Sequence, residues 1–423
     1  MTGAPALGSE TVPDASGRAR LLGAAALVLA GFGLRPPITG LGAALEFVPA
    51  ATGIDSAVLG WVVTIPLWCY AVGGLLTPRL AAAWDPAHAF AAALAIMAAG
   101  QIVRVTGGPG LLIAGTTVTA LATAVMATLL PVLAGRCGHG ATRMTALYAP
   151  AIGIGSAAGA FLTTPVSAAG SWRWGLALWA VVCAVALVLW LGMLRWAPGA
   201  TAAAAPAPSL RRILVPRGRL FWSLIVLFAA WATTAFGVMN LLPSFYREAG
   251  TDPTTAGLLL GIAAAAGLPA AALFPGWVRR APAGPGRALP LVVATVTPAV
   301  GLLGLYRYPQ AVPWLWAAMI GVGLGTLSLI LSLISLRAPD QGSVTMLSAT
   351  THGIGYALAG AGVATQSALH GWCGSWGPVI WLLAGLCLVQ LLAGAAVPRS
   401  PRRPDPVGAR LLVDHDPRLP NRA

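Results

Sequence analysis

The chain has 423 residues, 57% of them hydrophobic and only 9% charged, with a formal net charge of +14. Soluble domains carry about 25% charged residues and disordered chains are poor in apolar ones, so a polytopic membrane protein remains. All 25 basic residues are Arg, a bias that fits a GC-rich genome, and their positions carry topological information.

A helix needs about 20 apolar residues to cross the hydrocarbon core. After a polar stretch with Arg18 and Arg20, the first such run spans residues 20–48 and is interrupted at Arg35-Pro36-Pro37. A proline pair must disturb a helix ladder. An Arg near mid-depth costs about 2.5–3.5 kcal/mol on insertion scales, so Arg35 is expected to face a cavity or a partner. Its two readings are an anion or dipole clamp on a substrate and a structural group binding backbone carbonyls freed by the prolines. Thr39 follows in the same span. Further spans are expected near 57–80, 87–106, 110–134, 144–168 and 173–195. The fifth carries Tyr148 and the small residues Gly153 and Gly155.

Residues 197–219 form an Ala/Pro-rich linker that ends in four arginines without an acid. Six more spans follow near 220–246, 254–278, 288–306, 312–336, 344–368 and 376–397. Trp231 and Asn240 lie in the seventh. In the eleventh, His352 and Tyr356 sit one turn apart and therefore share a face, with Gly353 and Gly355 beside them. No Asp or Glu sits near the middle of any span. His352 is either a hydrogen-bonded structural residue or, if it lines the cavity, the core candidate for proton coupling, with substrate-carried protons and uniport as the alternatives. The Pro/Arg-rich tail from residue 398 is expected to be disordered.

Arginines concentrate in the linker and in the loops after spans 2, 4, 8 and 10 (Arg79, Arg136, Arg143, Arg279, Arg280, Arg287, Arg337), whereas the opposite loops are expected to hold only Arg104, Arg173, Arg247 and Arg307. Cytoplasmic loops carry the basic excess, so both termini are expected inside a cell (plasma or inner) membrane. Twelve spans satisfy this. Asp55 and Asp252 are placed to cap the helices that follow them.

An offset of about 200 residues carries Thr145, Leu147, Ala149, Gly153, Ile154, Gly155 and Ala157 onto Thr345, Leu347, Ala349, Gly353, Ile354, Gly355 and Ala357. The fold expected is an all-α membrane protein of two pseudo-symmetric six-helix bundles: N-terminal tail 1–19, bundle 20–196, linker 197–219, bundle 220–397 and tail 398–423. That parallel repeat is the plan of the major facilitator superfamily, with a central site between halves that rock. Gly153, Gly155, Gly353 and Gly355, with Pro36 and Pro37, are the expected gating positions, because small residues let helices approach and slide.

Leu34-Arg35-Pro36-Pro37-Ile38-Thr39, Met144-Thr145-Ala146-Leu147-Tyr148 and Gly355-Tyr356-Ala357-Leu358-Ala359 make the chain resemble the cyanate/nitroimidazole (CynX/NimT-type) branch of that superfamily. The resemblance implies a secondary transporter of small anions or small polar aromatic compounds. It departs where the family usually has Asn before Leu-Arg-Pro and this chain has Gly33, and where a Gln typical before the Gly-Tyr motif is His352. The substrate-binding candidates are Arg35, Thr39, Tyr148, Trp231, Asn240, His352 and Tyr356. A multidrug or antibiotic exporter of the same fold is the competing reading, supported by the scarcity of charge. A membrane-embedded enzyme is disfavoured, since no nucleophile–base constellation, HExxH or phosphate loop occurs. No metal site or cofactor is expected. The expected partners are a small-molecule substrate, the lipid bilayer and a proton as coupling ion, with no nucleic acid and a monomeric chain.

Overall fold

The computed structural model describes residues 17–44, 47, 48, 53, 58, 61–134, 141–196, 218–280, 288–337 and 341–397, and contains helices but no strand among them. The first span is two helices, α1 (Gly17–Gly33) and α2 (Pro36–Ala44). Pro36 and Pro37 supply no N–H, so the ladder of α1 cannot run on. The second helix starts afresh, with the Arg35 carbonyl accepting from the N–H groups of Ile38 and Thr39 at 3.0 and 3.1 Å. Next come α3 (Ile65–Ala83), α4 (Pro86–Val103), α5 (Pro109–Ala134), α6 (Ala141–Ala169) and α7 (Trp172–Trp196). Pro78-Arg79-Leu80, expected in a loop, lies inside α3.

The last six spans begin with α8 (Gly218–Glu248), α9 (Pro253–Arg280) and α10 (Leu289–Arg307). The tenth span is broken into α11 (Pro313–Val322), a 3₁₀ turn (Gly323–Gly325) and α12 (Thr326–Arg337). α13 (Gln341–Cys373) and α14 (Gly377–Ala396) complete the twelve. Ten helical stretches among the described residues are long and apolar enough to cross a bilayer. α3 has a shorter apolar stretch, Ile65–Leu76. α13 is 33 residues long but rich in Ser, Thr and Gly, which dilutes its hydropathy.

Local chemistry sets the helix starts. The Asp252 carboxylate accepts from the Thr255 N–H at 3.0 Å, and hydrogen bonds from Thr255 hold that carboxyl below its ordinary range. Asp85 caps α4 in the same way through the His88 N–H at 3.1 Å. Asp55, the corresponding expectation in the first half, lies outside the described residues, as do the linker 198–217 and both tails.

Twelve spans return the chain to the end at which it began, so both ends of the helical part share one face, called here the near end. Three buried apolar clusters hold the bundle. The first lies wholly within the first six spans around Phe90, Met97 and Trp190. The second centres on Tyr246, Leu260 and Leu302 with Ala43 and Ala160 from the first half. The third crosses between the halves through Leu41, Tyr70, Phe228, Phe236 and Tyr356.

The sequence repeat is a structural repeat. Gly155 of α6 receives the backbone of Phe32 in α1, and Gly355 of α13 receives the ring of Phe228 in α8. Two residues earlier, on the opposite face of each helix, Gly153 receives Leu268 of α9, and Gly353 receives Leu75 of α3. The same pairs of spans therefore meet twice, related by a pseudo-two-fold axis. A Cβ at Gly155 would fall on a carbonyl, which cannot yield; one at Gly355 would fall on a side chain, which can. Gly155→Val is accordingly expected to destabilise by about 1–3 kcal/mol, more than Gly355→Val. Thermal unfolding of the two purified variants checks the order, and an equal or reversed effect contradicts it.

Candidate functional site at the interface of the halves

Arg35 occupies the joint between α1 and α2, and its half-buried side chain reaches across to the second half, where the guanidinium carbon lies 5.7 Å from the Phe236 ring centre. Among the described residues no carboxylate reaches it. It also lies within electrostatic reach of the Tyr70 and Tyr356 hydroxyls. A guanidinium over an aromatic face is attracted by the ring quadrupole, and this contact partly replaces the hydration lost in the bundle.

The rings form one continuous cluster. Tyr70 of α3 meets Tyr356 of α13 at 5.3 Å and Phe236 of α8 at 6.2 Å, centre to centre. Phe228 meets Tyr356 at 4.9 Å, His352 at 4.7 Å and Trp231 at 5.4 Å. Edge-to-face geometry dominates, as ring quadrupoles favour. His352 sits one turn before Tyr356, with its Cβ beside Gly74 of α3, and its Nδ1–H donates to the Ser348 carbonyl at 2.7 Å. That bond fixes the tautomer of the neutral ring and leaves Nε2 as the acceptor. Four spans, two from each half, thus meet around one cation and one imidazole.

The remaining candidates are placed differently. The Thr39 hydroxyl donates to the Arg35 carbonyl at 3.2 Å and is fully buried beside Gly159, so it closes the joint. Trp231 touches the cluster edge through Phe228, while its Nε1–H donates at 3.1 Å to the Gly323 carbonyl, which also accepts the Thr326 N–H at the 3₁₀ turn. Tyr148 packs in the core of the first half against Gly31, away from the rings. Asn240 lies toward the far end, where its amide donates to the Val63 carbonyl at 3.4 Å across the interface and its Oδ1 has no partner. Pro36 and Pro37 make the break, and Gly153 and Gly353 lie in contacts between halves, whereas Gly155 and Gly355 pack within them.

Two features were not read from the sequence. Tyr70, Phe228 and Phe236 sit in uniformly apolar runs, where nothing separates a site ring from a core ring. Arg104, assigned from the sequence to an outer loop, is fully buried, and donates from Nη1 to the Pro37 carbonyl at 3.0 Å and from Nη2 to the Leu176 carbonyl at 3.1 Å. Once helical wheels are drawn, a loop Arg within reach of a proline-freed helix is the signal that would have found it.

The cluster is packed, not hollow: Phe228 and Phe236 are wholly buried and Tyr70 and Tyr356 nearly so. Two cavities in the second half, one lined by Trp231, Thr234 and Gln390, measure about 10 and 20 Å³, the scale of one water molecule. Toward the far end the halves are also sealed. Gly42 lies on the Met239 carbonyl, Thr164 on Gly257, Phe161 on Gly261 and Trp68 on Gly360.

Residues 21–360 match the Major Facilitator Superfamily, and the chain belongs to it. It is 27% identical over 91% of its length to the 2-nitroimidazole transporter of Escherichia coli, covering 97% of that protein. It is also 27% identical to the E. coli cyanate transport protein CynX, over 86% of this chain and 94% of the relative. Among solved structures, a POT family transporter superposes with a TM-score of 0.72 at 15% identity over 88% of this chain and 95% of the other. The D-xylose-proton symporter superposes at 0.64 and 13% over 90% and 98%. Family and relatives are transporters, and this chain is a multi-pass membrane transporter, not an enzyme.

Closure at the far end depends on Gly42 lying on a carbonyl. Gly42→Leu is expected to hold that end apart. In a Cys373→Ser background, Asn240→Cys should then react with an impermeant maleimide several-fold faster; an unchanged rate contradicts the role of this contact.

Proposed function

We propose that the chain is a secondary transporter of small anionic or polar organic solutes, bound between Arg35 and the ring cluster and moved by alternating access. One observation carries this reading. Arg35 places a cation with no carboxylate partner among the described residues at the interface of the halves, against an aromatic face contributed by the opposite half. The guanidinium fork suits two acceptor oxygens or a delocalised anion better than an ammonium does. The rings of Phe236, Tyr70 and Tyr356 offer flat apolar faces beside it. A nitro-heteroaromatic and cyanate, the compounds named for the two relatives, both combine acceptor atoms with planarity or small size.

Binding would draw Arg35 off Phe236 and part the rings, which gives a solute a differential affinity for an opened state, as any ligand-driven shift requires. With basic loops on the near end, the termini are cytoplasmic in the cell membrane and the sealed far end is the extracellular gate. His352 is the proposed proton-coupling residue: its ring lies in the cluster, 4.7 Å from Phe228, and protonation would add a second cation to the cluster that Arg35 borders. A drug exporter is the second reading, favoured by the aromatic lining, which also suits lipophilic cargo.

In proteoliposomes, Arg35→Lys keeps the charge and loses the fork, and transport of 2-nitroimidazole and cyanate is expected to fall by about two orders of magnitude with normal insertion. Undiminished transport contradicts the clamp. Inactivity of the native protein toward both probes, with transport of lipophilic antibiotics, favours the exporter.

For the coupling step, transport by the native protein should rise as external pH falls through the range in which imidazole gains its proton, and His352→Gln should flatten that dependence. The same pH profile in both removes His352 from the coupling.

A further inference from the structure

We infer that Arg104 is a positioning residue for transport: it anchors the start of α2 and so fixes the direction in which Arg35 projects across the interface. The inference rests on the assignment of Arg35 to the substrate site.

Arg104 stands at the C-terminal end of α4, and its side chain is fully buried. Gly115 of α5 lies directly behind its backbone, with no room for a Cβ. No carboxylate among the described residues pairs with it. Its charge is directed instead at two carbonyl oxygens, of Pro37 in α2 and Leu176 in α7, at 3.0 and 3.1 Å. A buried charge is retained against a desolvation penalty, so replacement by an apolar residue would be the cheaper solution if stability were its only task.

The need for an anchor follows from the break. Pro36 and Pro37 cannot donate, so no continuous ladder transmits the direction of α1 to α2. The contacts that remain are lateral. Gly159 lies under Pro36 and Thr39, and Gly40 under Thr163 and Trp179. Such small-residue contacts let helices slide and rotate. The Arg104 fork is directional: two charge-assisted donors from one rigid plane to two helices. Arg35 moves with α2, because its carbonyl accepts the N–H groups of Ile38 and Thr39. A rotation of α2 therefore swings the guanidinium relative to Phe236. Arg104 thus holds backbone just after the proline break, at the Pro37 carbonyl, while the Arg35 head group is directed at Phe236 across the interface.

The test uses the purified full-length protein and two readouts. The first is the coupling between Arg35→Gln and Phe236→Leu in thermal unfolding, measured in the native background and with Arg104→Gln or Arg104→Lys, the latter retaining charge in case the former folds poorly. A purely structural Arg104 lowers the unfolding temperature and leaves that coupling intact; a positioning Arg104 abolishes it. The second is affinity for 2-nitroimidazole, expected to fall roughly tenfold on Arg104→Lys when Arg35 is present and not to fall further when Arg35 is already Gln. Persistent Arg35–Phe236 coupling in both Arg104 variants overturns the inference. If 2-nitroimidazole fails to bind the native protein, the cargo assignment fails, while the unfolding cycle still decides the role of Arg104.

Discussion

The absence of two backbone donors at Pro36 and Pro37 organises the centre of this protein. A continuous first span would hold residue 35 in a regular turn, its side chain fixed by helical phase. The break instead makes Arg35 the hinge residue between α1 and α2, with its carbonyl closed by Ile38, Thr39 and the Thr39 hydroxyl, and its side chain directed at Phe236. Neighbours have adapted to the irregular chain: Gly155 and Gly159, one turn apart on α6, receive the two sides of the break.

The second half answers the same structural problem by other means. Phe32 and Phe228 meet equivalent glycines, Gly155 and Gly355, and the same register sets Arg35 against Trp231, three residues further along each chain. α8 has no proline there and stays continuous. Its indole donates to the Gly323 carbonyl and so supports a break in the neighbouring tenth span. One half thus offers a cation at a broken helix, and the other offers an aromatic ring that braces a broken helix. A symmetric scaffold has acquired a chemically one-sided centre, which is what a site for an asymmetric solute requires.

Much of the scaffold was legible in the chain. Hydropathy marks the spans, Pro36-Pro37 marks the first break, and the glycine spacing of α6 and α13 marks the repeat, because each is a local physical property. The break at Gly323–Gly325 was not legible: no proline announces it, and the adjacent Gly321 lies on the Ala263 carbonyl, a tertiary contact. Arg104 was misplaced because charge counting treats an Arg at a span end as a loop residue, whereas its long stem carries the head group inward to carbonyls. Of the candidate side chains, His352 and Tyr356 share a face by helical phase and so could be paired from sequence. Their meeting with Tyr70 and Phe236 depends on packing between halves, which no single-chain periodicity encodes. Tyr148 carries a motif of the resembling branch, yet it packs in the core of its own half.

The far-end seam adds a constraint on descent. At mid-depth the two halves exchange equivalent contacts, Leu268 onto Gly153 and Leu75 onto Gly353. Toward the far end the bulky side chains run one way: Trp68, Phe161 and Thr164, all from the first half, rest on Gly360, Gly261 and Gly257 of the second, while Gly42 of the first half receives the Met239 backbone. Two copies of the first half would bring bulk against bulk there, and two copies of the second would leave gaps. Whatever homodimeric ancestor the repeat preserves, the present halves are a tooth and a socket, and neither can substitute for its partner without losing the seal.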